Sequence, residues 1–324
     1  MILLRTKSVN VWRNLAVEDA LLSRFSGESR PLLFLWRSAH AVVIGKNQNP
    51  WREADITLMH DDGCALGRRI SGGGAVYHDE GNLNYTFIMD RRHYKSDIVF
   101  NVVLFALRAL GLNASRMGRT SVGVDGGKVS GNAFCYRRGA AMHHGTLLVS
   151  SNLGKMSSCL RAGSSAMRSR AIPSQPAKTV NLREIKPVIG IGNVEAALVQ
   201  GATTEFGAVE EHRGDDWIEQ NLRDLDAERM ASWEWLYGHT PPFELDVERE
   251  IVGMDVRLSA HVDSGIVREA TVCVREKNSN AIVLESRMQG FRFDAAEIAE
   301  RLRPAAAPIA QGFEYALARA FMTA

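Results

Sequence analysis

The chain has 324 residues, enough for about two domains at roughly 100–200 residues each. Hydrophobic residues make up 45% and charged residues 23%, a soluble globular balance that excludes a disordered chain. The formal charge of +2, from 39 Lys+Arg against 37 Asp+Glu, excludes bulk phosphate neutralisation, so any anion must be met by a local cluster.

No apolar run reaches the ~20 residues a membrane-spanning helix needs. The opening MILLRTKSVNVWRNLAVED also lacks the long apolar region of a secretory signal. Arg5, Lys7 and Arg13 precede the first acid, Glu18, as in a transit peptide, although Ile2, Leu3 and Leu4 equally suit a first strand. Asn14 is placed to cap a helix over 15–25 that Gly27 ends. Strands are expected over 31–36 and 41–45. Over 82–89, Leu83, Tyr85 and Phe87 alternate with Asn82, Asn84 and Thr86, the pattern of a half-buried strand. A helix over 97–110 closes at Gly111, 122–134 reads as a hairpin turning at Asp125-Gly126-Gly127, and 142–150 reads as a strand.

Residues 161–181, rich in Ser, Arg, Gly, Ala and Pro, read as a mobile connection carrying Arg161, Arg168, Arg170 and Lys178. A helical pattern over 216–237 stops at Gly238-His239-Thr240-Pro241-Pro242. Strands around 251–261 and 266–276, joined at Asp263-Ser264-Gly265, and helices near 294–302 and 309–322 form a separate small α/β tail. The order lacks the alternation of a doubly wound sheet, so the expected class is α+β, with a mixed, largely antiparallel sheet and packed helices. Gly190 and Gly192 lack a third glycine and a clear preceding strand, which excludes a dinucleotide fingerprint. Cys64, Cys135, Cys159 and Cys273 are scattered, so reduced thiols are expected and neither a zinc site nor a disulfide framework is signalled.

Three segments carry chemistry. In RRISGGGAVYHD (68–79), Gly72, Gly73 and Gly74 lack Cβ atoms where a ligand presses on the backbone, and their N–H groups suit an anion. Arg68 and Arg69 add charge-assisted contacts to phosphate or carboxylate. In GKVSGNA (127–133), Lys128 offers a compact cation between glycines. His143 and His144 point to opposite faces of a strand, so at most one faces a site, and they cannot act as a metal pair. Taken singly, each segment has a plain structural alternative: a flexible glycine hairpin, a surface lysine beside a turn, a hydrogen-bonded core histidine. No Ser-His-Asp or Cys-His nucleophile arrangement is apparent.

In this order and at these separations, RRISGGGAVYHDEGNLNYTFI, GKVSGNAF and HHGTLL resemble lipoate–protein ligase and the related lipoyltransferases. NLAVED (14–19), VVIGKNQNPW (42–51) and VNLREI (180–185) match as well, and WEWLYGHTPPF (233–243) resembles the start of the family's C-terminal accessory domain. The resemblance is strong from about residue 10 to 245 and weaker in the tail. NLAVED, the NQNPW ending and WEWLYG look most similar to the eukaryotic mitochondrial lipoyltransferase branch. It implies a biotin/lipoate ligase-like catalytic domain over 1–232 and a small α/β accessory domain over 233–324. A mitochondrial location follows for a eukaryotic chain, and a cytoplasmic one otherwise.

The resemblance further implies transfer of a lipoyl group from lipoyl-AMP, either preformed or made in the same site from lipoate and ATP, to a specific lysine. The acceptors would be lipoyl domains of 2-oxoacid dehydrogenase E2 subunits and the glycine cleavage H protein. Mg2+ would take part if activation occurs, and neither nucleic acid nor membrane is a partner. Carried residue by residue, Lys128 would be catalytic, contacting the lipoyl carbonyl and the α-phosphate. Arg69, Ser71, Gly72, Gly73, Gly74, Ala75, Val76, Tyr77 and His78 would bind nucleotide phosphates and acyl-adenylate, with Asn82, Ser130 and Gly131 adding to the site. His144 and Gly145 would wall a lipoyl tunnel whose apolar part is lined by Val43, Ile44 and Gly45, and the 161–181 loop would close over the intermediate. One departure stands out: Thr120-Ser121 occupy the place of an acidic residue that family members carry about seven positions before the lysine, and the nearest acid, Asp125, belongs to the turn. This favours the transferase half over independent ATP activation. Two further readings stay open, an octanoyl/lipoyl amidotransferase using a Cys159 thioester and a non-catalytic lipoyl-binding protein.

Overall fold

A computed structural model describes residues 1–25, 30–160, 166–222, 226–277 and 282–323. The chain forms two compact units, the first comprising Met1–Lys46, Cys64–Ser157 and Gln175–Ser232, the second Asn47–Gly63, Ser158–Ser174 and Trp233–Ala324. The second unit is therefore built from three stretches, not from the C-terminal tail alone.

The first unit centres on an eight-stranded sheet in the order Glu210–Arg213, Ile2–Arg5, Leu32–Trp36, Asn82–Asp90, Ala140–Leu148, Gly127–Arg137, Ser121–Val124 and Ala114–Met117. Its first three strands are mutually parallel and the remaining pairings antiparallel. Helices Ser96–Ala109 and Ile191–Phe206 share an apolar core with one face, through residues such as Leu33, Tyr85, Phe87, Phe100 and Leu198. Helix Val11–Arg24 meets the opposite face. Asn82–Asp90 is consequently buried at every position, so the expected half-buried strand is covered on both sides. A second, three-stranded sheet joins Ala65–Arg68, Ala41–Ile44 and Val76–His78.

Local signals are honoured where glycine geometry demands it. Gly111, at φ 78°, ends the helix Ser96–Ala109, and Asp125 and Gly126, at φ 49° and 80°, make the hairpin turn. The cap of the first helix is Asn10, whose side chain accepts from the Arg13 N–H at 2.9 Å; Asn14 instead lies inside the helix and donates to the Ser8 and Arg37 carbonyls. Gly27 lies outside the described residues. The pattern over 216–237 divides into Gly214–Asn221, Ala227–Ala231 and Trp233–Leu236.

The second unit is an antiparallel sheet of Met167–Ser169, Phe243–Ile251, Met254–Asp263, Ile266–Glu276 and Ile282–Met288, with Phe291–Arg292 added to the fourth. Helices Ala295–Ala306 and Phe313–Met322 share its core with Trp51, whose ring lies 5.1 Å from Tyr237, 5.5 Å from Phe243 and 5.2 Å from Phe293. The 161–181 segment is thus no free connection. Arg161 lies outside the described residues, Met167–Ser169 is a strand, and Lys178 and Val180 pair with Lys128 through the backbone.

Candidate functional site

The glycine loop is held from beneath by Arg69. Its guanidinium donates to the carbonyls of Val43 (3.1 Å), Gly72 (2.7 Å) and Gly74 (2.8 Å), and its Nε to Ser71 Oγ (3.1 Å). Burial lowers the Arg69 pKa to about 10, against the pull of Glu18. With carbonyls turned onto a cation, the loop presents its amides; among the described residues the Gly72, Gly73 and Gly74 N–H groups donate to no other group. Gly73 has φ 94°, which favours glycine, and a Cβ at Gly45 would strike the Gly73 carbonyl, so strand and loop touch backbone to backbone. Lys46 N donates to Ser71 O at 2.8 Å and Arg69 N to Ile44 O at 3.1 Å, completing the seam. Arg68 is fully buried and donates to the Lys46 carbonyl at 2.8 Å, a scaffold bond.

Lys128 lies on the neighbouring strand. A one-residue bulge, with Val122 opposite Ser130 but Gly123 opposite Lys128, re-aims its side chain across Gly131. A Cβ on Gly131 would sit 3.4 Å from both Lys128 Cε and Nζ, so the glycine gives the ammonium its path. No carboxylate or other acceptor meets Nζ among the described residues, and burial lowers its pKa from the usual lysine value. The glycine loop abuts the same strand further along, a Cβ on Gly73 falling 3.6 Å from Ala133 Cβ.

His144 faces the loop and His143 faces away. Ser71 Oγ lies 2.7 Å from His144 Nε2, and His144 Nδ1 lies 3.0 Å from Glu18 Oε2. This Ser71–His144–Glu18 chain, which ties the glycine loop to the first helix, was not legible in the sequence. Glu18 also receives the Thr86 hydroxyl and the Trp36 indole N–H, the latter at 3.3 Å. Burial raises its carboxyl pKa, but the facing His144 and these hydrogen bonds bring it below the usual value.

Two walls of this region hold unanswered polar groups. Among the described residues, neither ring nitrogen of His78 has a hydrogen-bond partner, nor do Asn82 Oδ1 and Asn84 Nδ2, and all three residues are buried. Burial first, then Arg69 and His144, push His78 down to about 3. Unpaired buried groups cost about 1–3 kcal/mol each. His78 packs edge-on to Trp36 at 5.5 Å, and Tyr77, on the other face of its strand, to His40 at 5.3 Å.

The structure thus gathers Arg69, Ser71, Gly72, Gly73, Gly74, Gly45 and His144, with Lys128 and Gly131 on the adjoining strand. Val43 and Ile44 are buried beside the loop, and Ala75 and Val76 lead from it into the strand that carries Tyr77 and His78. Two expected residues turn the other way. Ser130 Oγ lies 3.3 Å from Tyr85 OH, and a Cβ on Gly145 would strike Tyr85 and Asn132, so both serve the face that packs on the helices. There Asn132 Oδ1 also meets His143 Nε2 at 2.9 Å. Ser121 stands opposite Gly131 and the Thr120 carbonyl accepts from the Asn132 N–H at 2.7 Å, so no carboxylate residue occupies this place, and Asp125 is exposed at the turn. That donor set does not fit a divalent cation held by the protein itself. A shallow groove of about 340 Å³ in the second unit, lined in part by Arg168, Glu244, His261 and Glu269, contains no residue of this site.

Comparison with known proteins follows the same residues. The chain is 32% identical over 305 residues to "Lipoate-protein ligase A" of Psychrobacter cryohalolentis, covering 91% of this chain and 90% of that protein. It is similar to the crystal structure of a lipoate-protein ligase A bound with ATP, at 27% identity and TM-score 0.62, over 72% of this chain and 96% of that one. It is also similar to a bi-partite lipoate protein ligase of Thermoplasma acidophilum, studied with its E2 lipoyl domain, at 25% identity and TM-score 0.63, over 78% and 98%. The α+β fold is that of lipoate ligases. Residues 10–203, more than half of the chain, match the Lipoyl protein ligase A/B catalytic domain, and with the glycine loop, Lys128 and His144 inside that span, the chain belongs to this family.

Proposed function

We propose that this protein transfers a lipoyl group from lipoyl-AMP to a specific lysine of lipoyl domains, in 2-oxoacid dehydrogenase E2 subunits and the glycine cleavage H protein, forming an amide. The observation that carries it is Lys128, a half-buried ammonium without a counter-ion among the described residues, on the strand that the glycine loop abuts. In this reading the ammonium meets the carbonyl–phosphate junction of the mixed anhydride, and the Gly72, Gly73 and Gly74 amides meet its phosphate. As the acceptor amine attacks the carbonyl carbon, negative charge grows on the carbonyl oxygen and then on the departing phosphate. Lys128 stabilises both without donating a covalent bond.

Family membership and the ATP-bound relative support lipoate and ATP as substrates. The hydroxyls of Thr120 and Ser121 favour the transfer half, in which lipoyl-AMP arrives preformed. The test supplies apo H protein with lipoate and MgATP in one reaction and with synthetic lipoyl-AMP in another, and follows acceptor mass. Transfer from lipoyl-AMP alone supports a transferase; efficient turnover from free lipoate overturns the transferase-only reading and leaves a ligase. The Cys159 thioester route has less support, because Cys159 is 1% exposed and burial disfavours a thiolate; full activity in Cys159→Ala removes it. The branch-like motifs make the mitochondrion the proposed location, which organelle fractionation of a tagged full-length protein checks.

A further inference from the structure

We infer that Glu18 is a positioning residue: acting through His144, it holds the Ser71 hydroxyl, and with it the amides of Gly72, Gly73 and Gly74, where they receive the acyl-adenylate. The inference rests on the reading of the site given above but concerns a residue that touches none of the loop. Glu18 sits in the interior of helix Val11–Arg24 at 1% exposure, among Leu15, Val17 and Leu22. A carboxylate is costly there unless fully bonded. Both of its oxygens lie within 3.1 Å of His144 Nδ1, and Thr86 and Trp36 complete its bonds.

An ionised carboxylate only accepts, so His144 Nδ1 must carry a proton, which fixes the ring's orientation and leaves Nε2 aimed at Ser71 Oγ, 2.7 Å away. The same Oγ takes the Arg69 Nε–H at 3.1 Å, so the first residue of the loop is gripped from two directions. The charged and titratable groups facing His144 are Glu18 from the helix, Arg69 from the loop and His78 from the short strand; Thr86 and Ser71 contribute neutral hydroxyls. Among these, Glu18 is the acid bonded to His144 among the described residues. Remove its charge and the ring loses the constraint that aims it.

The test is a double-mutant cycle on the ligand-free protein, reading hydrogen exchange at the Lys46 and Arg69 amides, whose bonds to Ser71 O and Ile44 O tie the loop to its strand. Glu18→Gln and Ser71→Ala should each speed exchange about tenfold, the double variant should be no faster than either, and Ser71→Thr should restore protection. In parallel, the KM for synthetic lipoyl-AMP should rise at least tenfold in Glu18→Gln, with kcat changed less than threefold. Multiplicative effects, or unchanged exchange in Ser71→Ala, overturn the inference. If Glu18→Gln does not fold, His144→Gln paired with Ser71→Ala makes the same cycle while Glu18 keeps Thr86 and Trp36. Coupled exchange without any lipoyl transfer would instead defeat the proposed function, so the two failures are distinguishable.

Discussion

Lys128 combines a functional need with a folding cost. Burial lowers its pKa, which means that the folded state disfavours the charge the proposed reaction uses. The unfolded chain therefore binds this proton more tightly, and the group's contribution to stability rises as pH climbs from its folded pKa toward the usual value of 10.5. Lys128→Met should lower transfer by about 10²–10³-fold, read from acceptor mass, while the urea midpoint stays level or rises. The buried histidines act in the acid range. His78 and His143, each pushed down to about 3 chiefly by burial, remain neutral in the fold while the unfolded chain takes up protons below 6.5. Stability should thus fall as pH drops from 6.5 toward 3, and each such histidine adds up to about 1.4 kcal/mol per pH unit. His78→Gln should flatten that slope by about one proton in urea titrations between pH 4 and 6, and an unchanged slope would contradict its burial as the neutral form.

Between elements, contact is backbone on backbone, and glycine is the evidence. Gly45→Ala drives a methyl into the Gly73 carbonyl, which cannot yield without moving the loop. Overpacking of this kind costs about 1–3 kcal/mol. Such a variant should lose stability in denaturant and bind ATP or lipoyl-AMP at least tenfold more weakly by calorimetry. The loop, the lysine hairpin and the histidine strand were all legible, because turn glycines and period-two alternation are local signals. Their pairings were not. Glu18 and His144 stand 126 positions apart, Ser71 and His144 73 apart, and no local pattern couples them. Asn14 attracted the cap because it precedes an apolar run, yet Asn10 has the free side chain to cap, while Asn14 spends its amide on two distant carbonyls. Ser130 and Gly145 show a subtler limit: a bulge at Lys128 and the bulk of Tyr85 decide which face each serves, and neither is visible in a motif. The strand Phe243–Ile251 went unread although its inward Phe243, Leu245 and Val247 alternate with charged neighbours.

Over the whole chain, the second unit draws on residues far from the C-terminus. Trp51 fills its core, and Met167–Ser169 forms its edge beside Phe243–Ile251. Residues 233–324 expressed alone should therefore lack cooperative unfolding and a dispersed amide spectrum, whereas Trp51→Ala in the full chain should cost about 3–5 kcal/mol in urea titration. A cooperative, well-dispersed 233–324 fragment would show that those segments are dispensable. The Ser71–His144–Glu18 chain has a counterpart in time. It closes long loops of the first unit, so it forms only once helix Val11–Arg24, the glycine loop and the strand Ala140–Leu148 are all in place. Closing such loops is entropically slow compared with forming any one element. During refolding, secondary structure should return before catalytic competence, and the interval between them is the time the chain needs to bring three remote side chains into register.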